Sequence, residues 1–187
     1  CIDSEYVLPI LDVCQEDLKG EFYTILPMGK ADMTMDMDRS DKLLLKHYLY
    51  QMVLGVRDCH NVSVMHKDIK PHNFIYFPPS ESSPFGTVKL ADFGLSSIKT
   101  CIHPHFIGTQ VYTLLDRPPE ILLSGPYDNR ADVWALACSM YQVYKGEYLF
   151  DIKSERTAIS DIITVCGVLN DDTWFGVTNY PLYSRRY

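Results

Sequence analysis

The order of apolar and polar positions predicts two hairpins, three helices and one long irregular stretch. Residues 6–13 (YVLPILDV) and 21–27 (EFYTILP) are short apolar or β-branched runs, separated by polar Gln15, Glu16 and Asp17 and by Gly20. They read as two strands of a hairpin, and Gly29, after Pro27, ends the second. Ser40 and Asp41 are candidate caps for a helix running to about residue 60. Its apolar positions Leu45, Tyr48, Leu49, Met52, Val53 and Val56 follow the i, i+3, i+4, i+7 rule, so one face must be buried. Residues 74–77 and 87–90 read as a second hairpin around the Pro/Ser-rich stretch 78–84, a solvated loop. Residues 92–120 carry no sustained periodicity, and irregular segments of that length in a compact domain tend to carry function or disorder. After Asp128 the run ADVWALACSMYQVY is apolar almost all round, which predicts a helix buried on most sides. Asp132 within it is then an interior hydrogen-bonding residue or a costly burial. A last helix is predicted over 154–168, with Ile159, Ile162, Ile163 and Cys166 on one stripe. No internal repeat and no domain linker is visible.

The 187 residues correspond to one domain at about 150 residues each. A composition of 47% hydrophobic and 22% charged residues excludes a disordered chain, a collagen-like repeat and a disulfide-stapled miniprotein. The net charge of −7 argues against nucleic acid or an anionic membrane as partner. No apolar run approaches the roughly 18–20 residues that span a bilayer. Six cysteines are scattered without a C-x-x-C pair, the usage of reduced thiols in an intracellular protein of cytoplasm or nucleus. Cys101-Ile-His103-Pro-His105 offers three metal-ligand types without a fourth nearby, and reads as a plain loop.

Three motifs carry chemistry. His66-Lys67-Asp68-Ile69-Lys70-Pro71-His72-Asn73 matches H-R-D-L-x-x-x-N, with Lys for Arg and Ile for Leu; Asp92-Phe93-Gly94 and Pro118-Pro119-Glu120 follow in order. Phosphoryl transfer needs a carboxylate that orients and deprotonates the attacking hydroxyl, the place of Asp68. It also needs Mg2+ to neutralise phosphate charge, and Asp92 and the side-chain oxygen of Asn73 are suitable hard ligands. Lys70 can neutralise charge on the transferred phosphoryl group.

On these motifs the sequence resembles a eukaryotic protein kinase over essentially its whole length. Asp68-Ile69-Lys70-Pro71 is the serine/threonine pattern, and Arg117-Pro-Pro-Glu-Ile-Leu-Leu with the later GEYLF and DDTWFGVTNYPLY resembles the cyclin-dependent kinases. The resemblance implies an α+β protein-kinase-like fold, mainly the α-helical large lobe with a remnant hairpin of the small lobe. Residues 1–29 would be small-lobe strands and hinge, and 30–187 the large lobe without its C-terminal helices. It implies ATP and Mg2+ as cofactors, protein substrates and a cyclin-like activator. The adenine site would involve Leu26 as gatekeeper, Pro27 and Gly29 in the hinge, Asp32 near the ribose and Ile75 beneath the ring, with Asp92 on the metal. Thr113 would contact the catalytic loop, Asp132 would brace its backbone with Trp134 accompanying it, and His66 and Glu120 would give structural support.

Several positions depart from that pattern. Lys67 replaces the Arg that clamps a phosphorylated activation loop, and lacks its bidentate fork. The activating Thr position is Gly108, with Thr109 beside it as the candidate phosphosite. The usual Trp-Tyr before Arg117 is Leu115-Asp116. No G-x-G-x-x-G and no V-A-I-K strand occur in the 187 residues. The expectation is therefore a kinase fragment, transferring the ATP γ-phosphate to Ser/Thr when complete and inactive alone. A pseudokinase or truncated kinase-like binding module is the alternative. A small-molecule phosphotransferase shares H-x-D-x-x-x-x-N but is disfavoured by Lys70, Asp92-Phe93-Gly94 and the segment 117–120.

Overall fold

The structure, a computed structural model, describes residues 2–16, 21–98 and 111–186. Strands β1 (Asp12–Glu16) and β2 (Glu21–Ile25) pair antiparallel in register Asp12↔Ile25 to Glu16↔Glu21. The first strand thus starts later than the apolar run 6–13 predicts. Pro9 in that run has no N–H to give a ladder, and the residues before it go elsewhere. Val7 and Leu8 are buried, and they dock on a different strand: Leu8 N donates to Leu90 O and Leu90 N to Tyr6 O, both at 2.8 Å.

Strand β3 (Ala31–Asp32) leads into helix α1 (Lys42–Asn61). Asp41, not Ser40, caps it, its carboxylate accepting Leu44 N at 3.0 Å. Leu45, Tyr48, Met52, Val56 and Cys59 form the buried stripe, while Val53 is 37% exposed. The stripe packs on the hairpin β5 (Phe74–Phe77) and β6 (Thr87–Leu90), which follows the two-residue strand β4 (Val64–Met65). Gln51, also buried, accepts Val88 N at 2.6 Å and fixes helix to strand. β3, β5 and β6 form one sheet in that order, with Phe74 opposite Leu90. Strand β7 (Ser97–Ile98) pairs antiparallel with β4.

Short helix α2 (Pro119–Leu122) precedes helix α3 (Arg130–Lys145), which buries Ala131, Asp132, Ala135, Leu136, Cys138, Ser139 and Val143. Contrary to its apolar composition it is not covered all round, since Val133 is 52% exposed. Gly146 ends it at φ 81°, in the left-handed region that favours glycine. Helix α4 (Ala158–Cys166) is shorter than the predicted 154–168. Residues 154–157 form a turn in which Ser154 O accepts Thr157 N, and Gly167 at φ 87° stops the helix. Ile159 and Ile162 are buried, Ile163 partly so, and Cys166 is exposed. Helix α5 (Tyr183–Arg186) closes the described chain. The apolar side chains separate into two clusters, one joining α1, the hairpin and α3, the other gathering Leu122, Leu123 and Phe150 around α4. Among the described residues no helix is long and apolar enough to cross a membrane.

Candidate active site

The topology brings the motifs together. His66 to Asn73 connect β4 to β5, and Asp92 to Gly94 connect β6 to β7. Because β5 pairs with β6 and β4 with β7, both loops emerge at one end of the two strand pairs. Ala91 N donates to Asn73 O at 2.8 Å, which extends the hairpin to the first residue before Asp92.

His66 joins the two loops. Its Nε2 lies 2.9 Å from Ala91 O, and its Nδ1 lies 3.3 Å from Asp68 N, which is a donor. These partners require the neutral tautomer with hydrogen on Nε2. Burial pushes its pKa down, against the carbonyl bond and the surrounding carboxylates. Phe93 packs edge-on against its ring at 4.8 Å.

Asp68 is nearly buried and accepts from three side chains. Its Oδ2 takes Lys70 Nζ at 2.7 Å and Asn73 Nδ2 at 3.2 Å; its Oδ1 takes Thr113 Oγ1 at 3.3 Å. Asn73 Nδ2 also donates to Asp68 O at 2.7 Å. Pro71 starts the 3-10 turn Pro71–Asn73 that presents Asn73, its ring presetting φ. Lys67 and Asp92 have φ of 66° and 62°, the left-handed region; sharp reversals of that kind gather at functional loops.

Asp132 on α3 receives His66 N and Lys67 N, each at 2.9 Å, Tyr112 Oη at 2.8 Å and His60 Nε2 at 2.9 Å. Burial alone would raise its carboxyl, but these hydrogen bonds hold it below the usual carboxylate range. The buried aspartate is therefore an interior hydrogen-bonding residue. Trp134 stacks on Phe150 at 5.6 Å instead of joining it.

Sequence reasoning missed three partners. Tyr112, at φ 61°, ties the segment before Thr113 to Asp132, and its own amide donates to Lys67 O at 2.9 Å. Arg117, 8% exposed, holds Val111 O at 3.1 Å and Tyr112 O at 3.0 Å and lies 3.8 Å from Glu155. His60 reaches Asp132 from the last turn of α1. A lone Tyr and a helix-end His carry no periodic signal; only the charge of Arg117 beside two prolines hinted at burial with acceptors.

The residues expected at the adenine lie along the other flank of β5. Asp32 pairs with Ile75, and Lys30 N donates to Tyr76 O at 2.9 Å. An added Cβ on Gly29 would stand 2.1 Å from Ile75 Cγ2, so a larger residue there would force Ile75 to shift. Asp32 Oδ1 accepts Thr34 N at 2.8 Å. Leu26 is 43% exposed. Glu120 lines a cavity with Tyr127, Arg130, Trp174 and Tyr180, and burial raises its carboxyl. Cys101, His103, His105, Gly108 and Thr109 lie outside the described residues.

The donors suit a magnesium ion. Asn73 turns its NH2 group onto Asp68, which leaves its side-chain carbonyl oxygen without a hydrogen bond among the described residues. Asp92 is exposed, with Oδ1 accepting Gly94 N at 3.3 Å and Oδ2 free of hydrogen bonds among those residues. Hard carboxylate and amide oxygens are the donor types that magnesium takes from a protein.

Comparison with known proteins agrees. The protein kinase domain family matches residues 1–179. The chain is similar to cyclin-dependent kinase C-1 of Oryza sativa subsp. japonica, 33% identical over 172 residues, covering 89% of this chain and 32% of the relative. Cyclin-dependent kinase C-2 of the same organism is 32% identical over the same shares. Cyclin-dependent kinase C-3, also from that organism, is 31% identical over 166 residues, 88% of this chain and 49% of the relative. The chain therefore spans less than half the length of these relatives. With its mixed α+β architecture and this match along most of its length, the chain belongs to the protein kinase domain family.

Proposed function

We propose that these residues form the metal- and substrate-binding side of a protein serine/threonine kinase that transfers the γ-phosphate of ATP. The observation that carries the reading is Asp68, held by Lys70, Asn73 and Thr113. Bound Mg2+ would neutralise phosphate charge, with Asn73 and Asp92 as its protein ligands. Asp68 orients the acceptor hydroxyl and takes its proton. Lys70, already 2.7 Å from Asp68, supplies positive charge where the phosphoryl group passes. Thr113 holds the far carboxylate oxygen, so the rotamer of Asp68 is fixed before substrate arrives. Gly29, Asp32 and Ile75 would receive the nucleoside, joined to Asn73 through β5.

Protein substrates, a cyclin-like activator and phosphorylation of Thr109 follow the likeness to cyclin-dependent kinases. The absence of G-x-G-x-x-G and of a V-A-I-K strand from the 187 residues favours one second reading, a kinase-like binding module. Incubation of the isolated chain, and of a longer protein containing it, with radiolabelled ATP and a protein substrate separates the two. The kinase reading expects label on Ser or Thr from the longer protein, lost with Asp92→Asn, and none from the isolated chain. No transfer from either protein favours the binding module.

A further inference from the structure

We infer that Tyr112 is a positioning residue, whose hydroxyl and amide latch the segment 111–117 onto the loop His66–Asn73 and so hold Thr113 on Asp68. The latch rests on hydrogen bonds, and its consequence for rate rests on the phosphotransfer reading. Asp132 Oδ1 accepts from both sides, Tyr112 Oη at 2.8 Å and Lys67 N at 2.9 Å. One buried carboxylate oxygen thus joins the segment to the loop, and hydrogen bonds to an ionised acceptor are the strong ones. A further bond closes the arrangement, with Tyr112 N donating to Lys67 O at 2.9 Å. The next residue, Thr113, donates its hydroxyl to Asp68 Oδ1 at 3.3 Å, a long contact with little strength of its own. Its place is set by the residue before it.

Arg117 does not supply the same link. Its bonds to Val111 O and Tyr112 O close the segment on itself, and Glu155, its ion-pair partner, lies outside the loop. The backbone also bears a cost at the latch. Tyr112 is 3% exposed at φ 61°, and Lys67, bonded to it, stands at φ 66°. Left-handed backbone is unfavourable for a bulky side chain, and it persists where surrounding contacts over-determine it. The ring of Tyr112 belongs to the core that joins α1, the hairpin and α3. Tyr112→Phe therefore keeps that packing and removes only the bond to Asp132. Burial first, then the Asp132 charge, pushes the phenol pKa up, so the hydroxyl is a donor at neutral pH.

Proton NMR of the full chain tests the latch without turnover. The Tyr112 hydroxyl proton should give a slowly exchanging signal with a cross-peak to the Lys67 amide. In Tyr112→Phe the backbone amide at position 112 should exchange with solvent about tenfold faster or more. Absence of the cross-peak in the parent chain, or unchanged exchange in the folded variant, overturns the inference; the first needs no variant. Failure of the phosphotransfer reading would leave both signals intact, so the two failures are distinguishable. In a longer protein that transfers phosphate, Tyr112→Phe should lower kcat about tenfold through misplacement of Thr113 and Asp68, with KM for ATP unchanged. In a Thr113→Ala background the same substitution should change kcat less than about twofold, because the contact it positions is already gone. Equal losses in both backgrounds would mean a purely structural role and overturn the positioning claim.

Discussion

Asp132 Oδ2 accepts the backbone amide of His66 at 2.9 Å, across 66 residues of sequence. The bond hangs the loop His66–Asn73 from the middle of the core, because Asp132 is fully buried on α3. Asp132→Ala would strand the amides of His66 and Lys67 and the hydroxyl of Tyr112. At about 1–3 kcal/mol for each buried donor left alone, a loss of about 3 kcal/mol or more is expected in urea unfolding. A loss below about 1 kcal/mol would show that the loop is held by other means.

The same carboxyl sets an acid limit. Its folded pKa lies below the unfolded value of about 3.9. It therefore contributes stability in full above that value, and the contribution is lost as pH falls through the folded pKa. The stability gap between the parent chain and Asp132→Asn should be widest near neutral pH and shrink below about pH 4. Unfolding curves of both proteins from pH 7 to 3 check this, and a gap that stays constant contradicts it.

Gly55 tests the docking of the N-terminal segment. Ala for Gly inside a helix normally stabilises by about 1 kcal/mol. Here an added Cβ would meet Tyr6 O at 2.7 Å, and Tyr6 O is the acceptor that ties this segment to Leu90. Gly55→Ala should therefore destabilise by about 1–2 kcal/mol, measured by thermal melting. A rise in Tm would mean that the segment yields without cost.

Thiol reactivity reads the two cores. Burial and nearby carboxylates push the Cys59 thiol up to about 12, and burial first does the same to Cys138. Cys14 and Cys166 are exposed. Alkylation at pH 8 followed by peptide mapping should modify Cys14 and Cys166 in the folded protein, and reach Cys59 and Cys138 only on unfolding. Early labelling of Cys59 would contradict the packing of α1 against the hairpin.

How far the sequence carried can be judged from particular residues. The hairpin 74–77 with 87–90 was legible because alternating side chains and a Pro/Ser loop leave one pairing. Helix α1 was legible from its stripe, although Val53 proved half-exposed and Gln51 proved buried, since Gln51 satisfies a strand amide that pattern does not foresee. The run 6–13 misled because it is as apolar as a strand, yet Pro9 leaves it a single docking point on Leu90. Asp68, Lys70, Asn73 and Thr113, separated by up to 45 residues, meet in one cluster. Their motifs announced three of them through spacing, while Thr113 came only by likeness. Tyr112 was illegible because its role depends on Asp132 of α3, and Arg117 because it holds the carbonyls of Val111 and Tyr112, contacts that no local pattern encodes.

The most direct test concerns Asp68. A longer protein containing these residues should be assayed for γ-phosphate transfer from ATP with Mg2+, beside its Asp68→Asn variant, with matched circular dichroism to establish equal folding. The account predicts a fall in kcat of at least about a hundredfold in the variant. Transfer at an unchanged rate would contradict the assignment of Asp68 as the base, and with it the reading of the cluster around it.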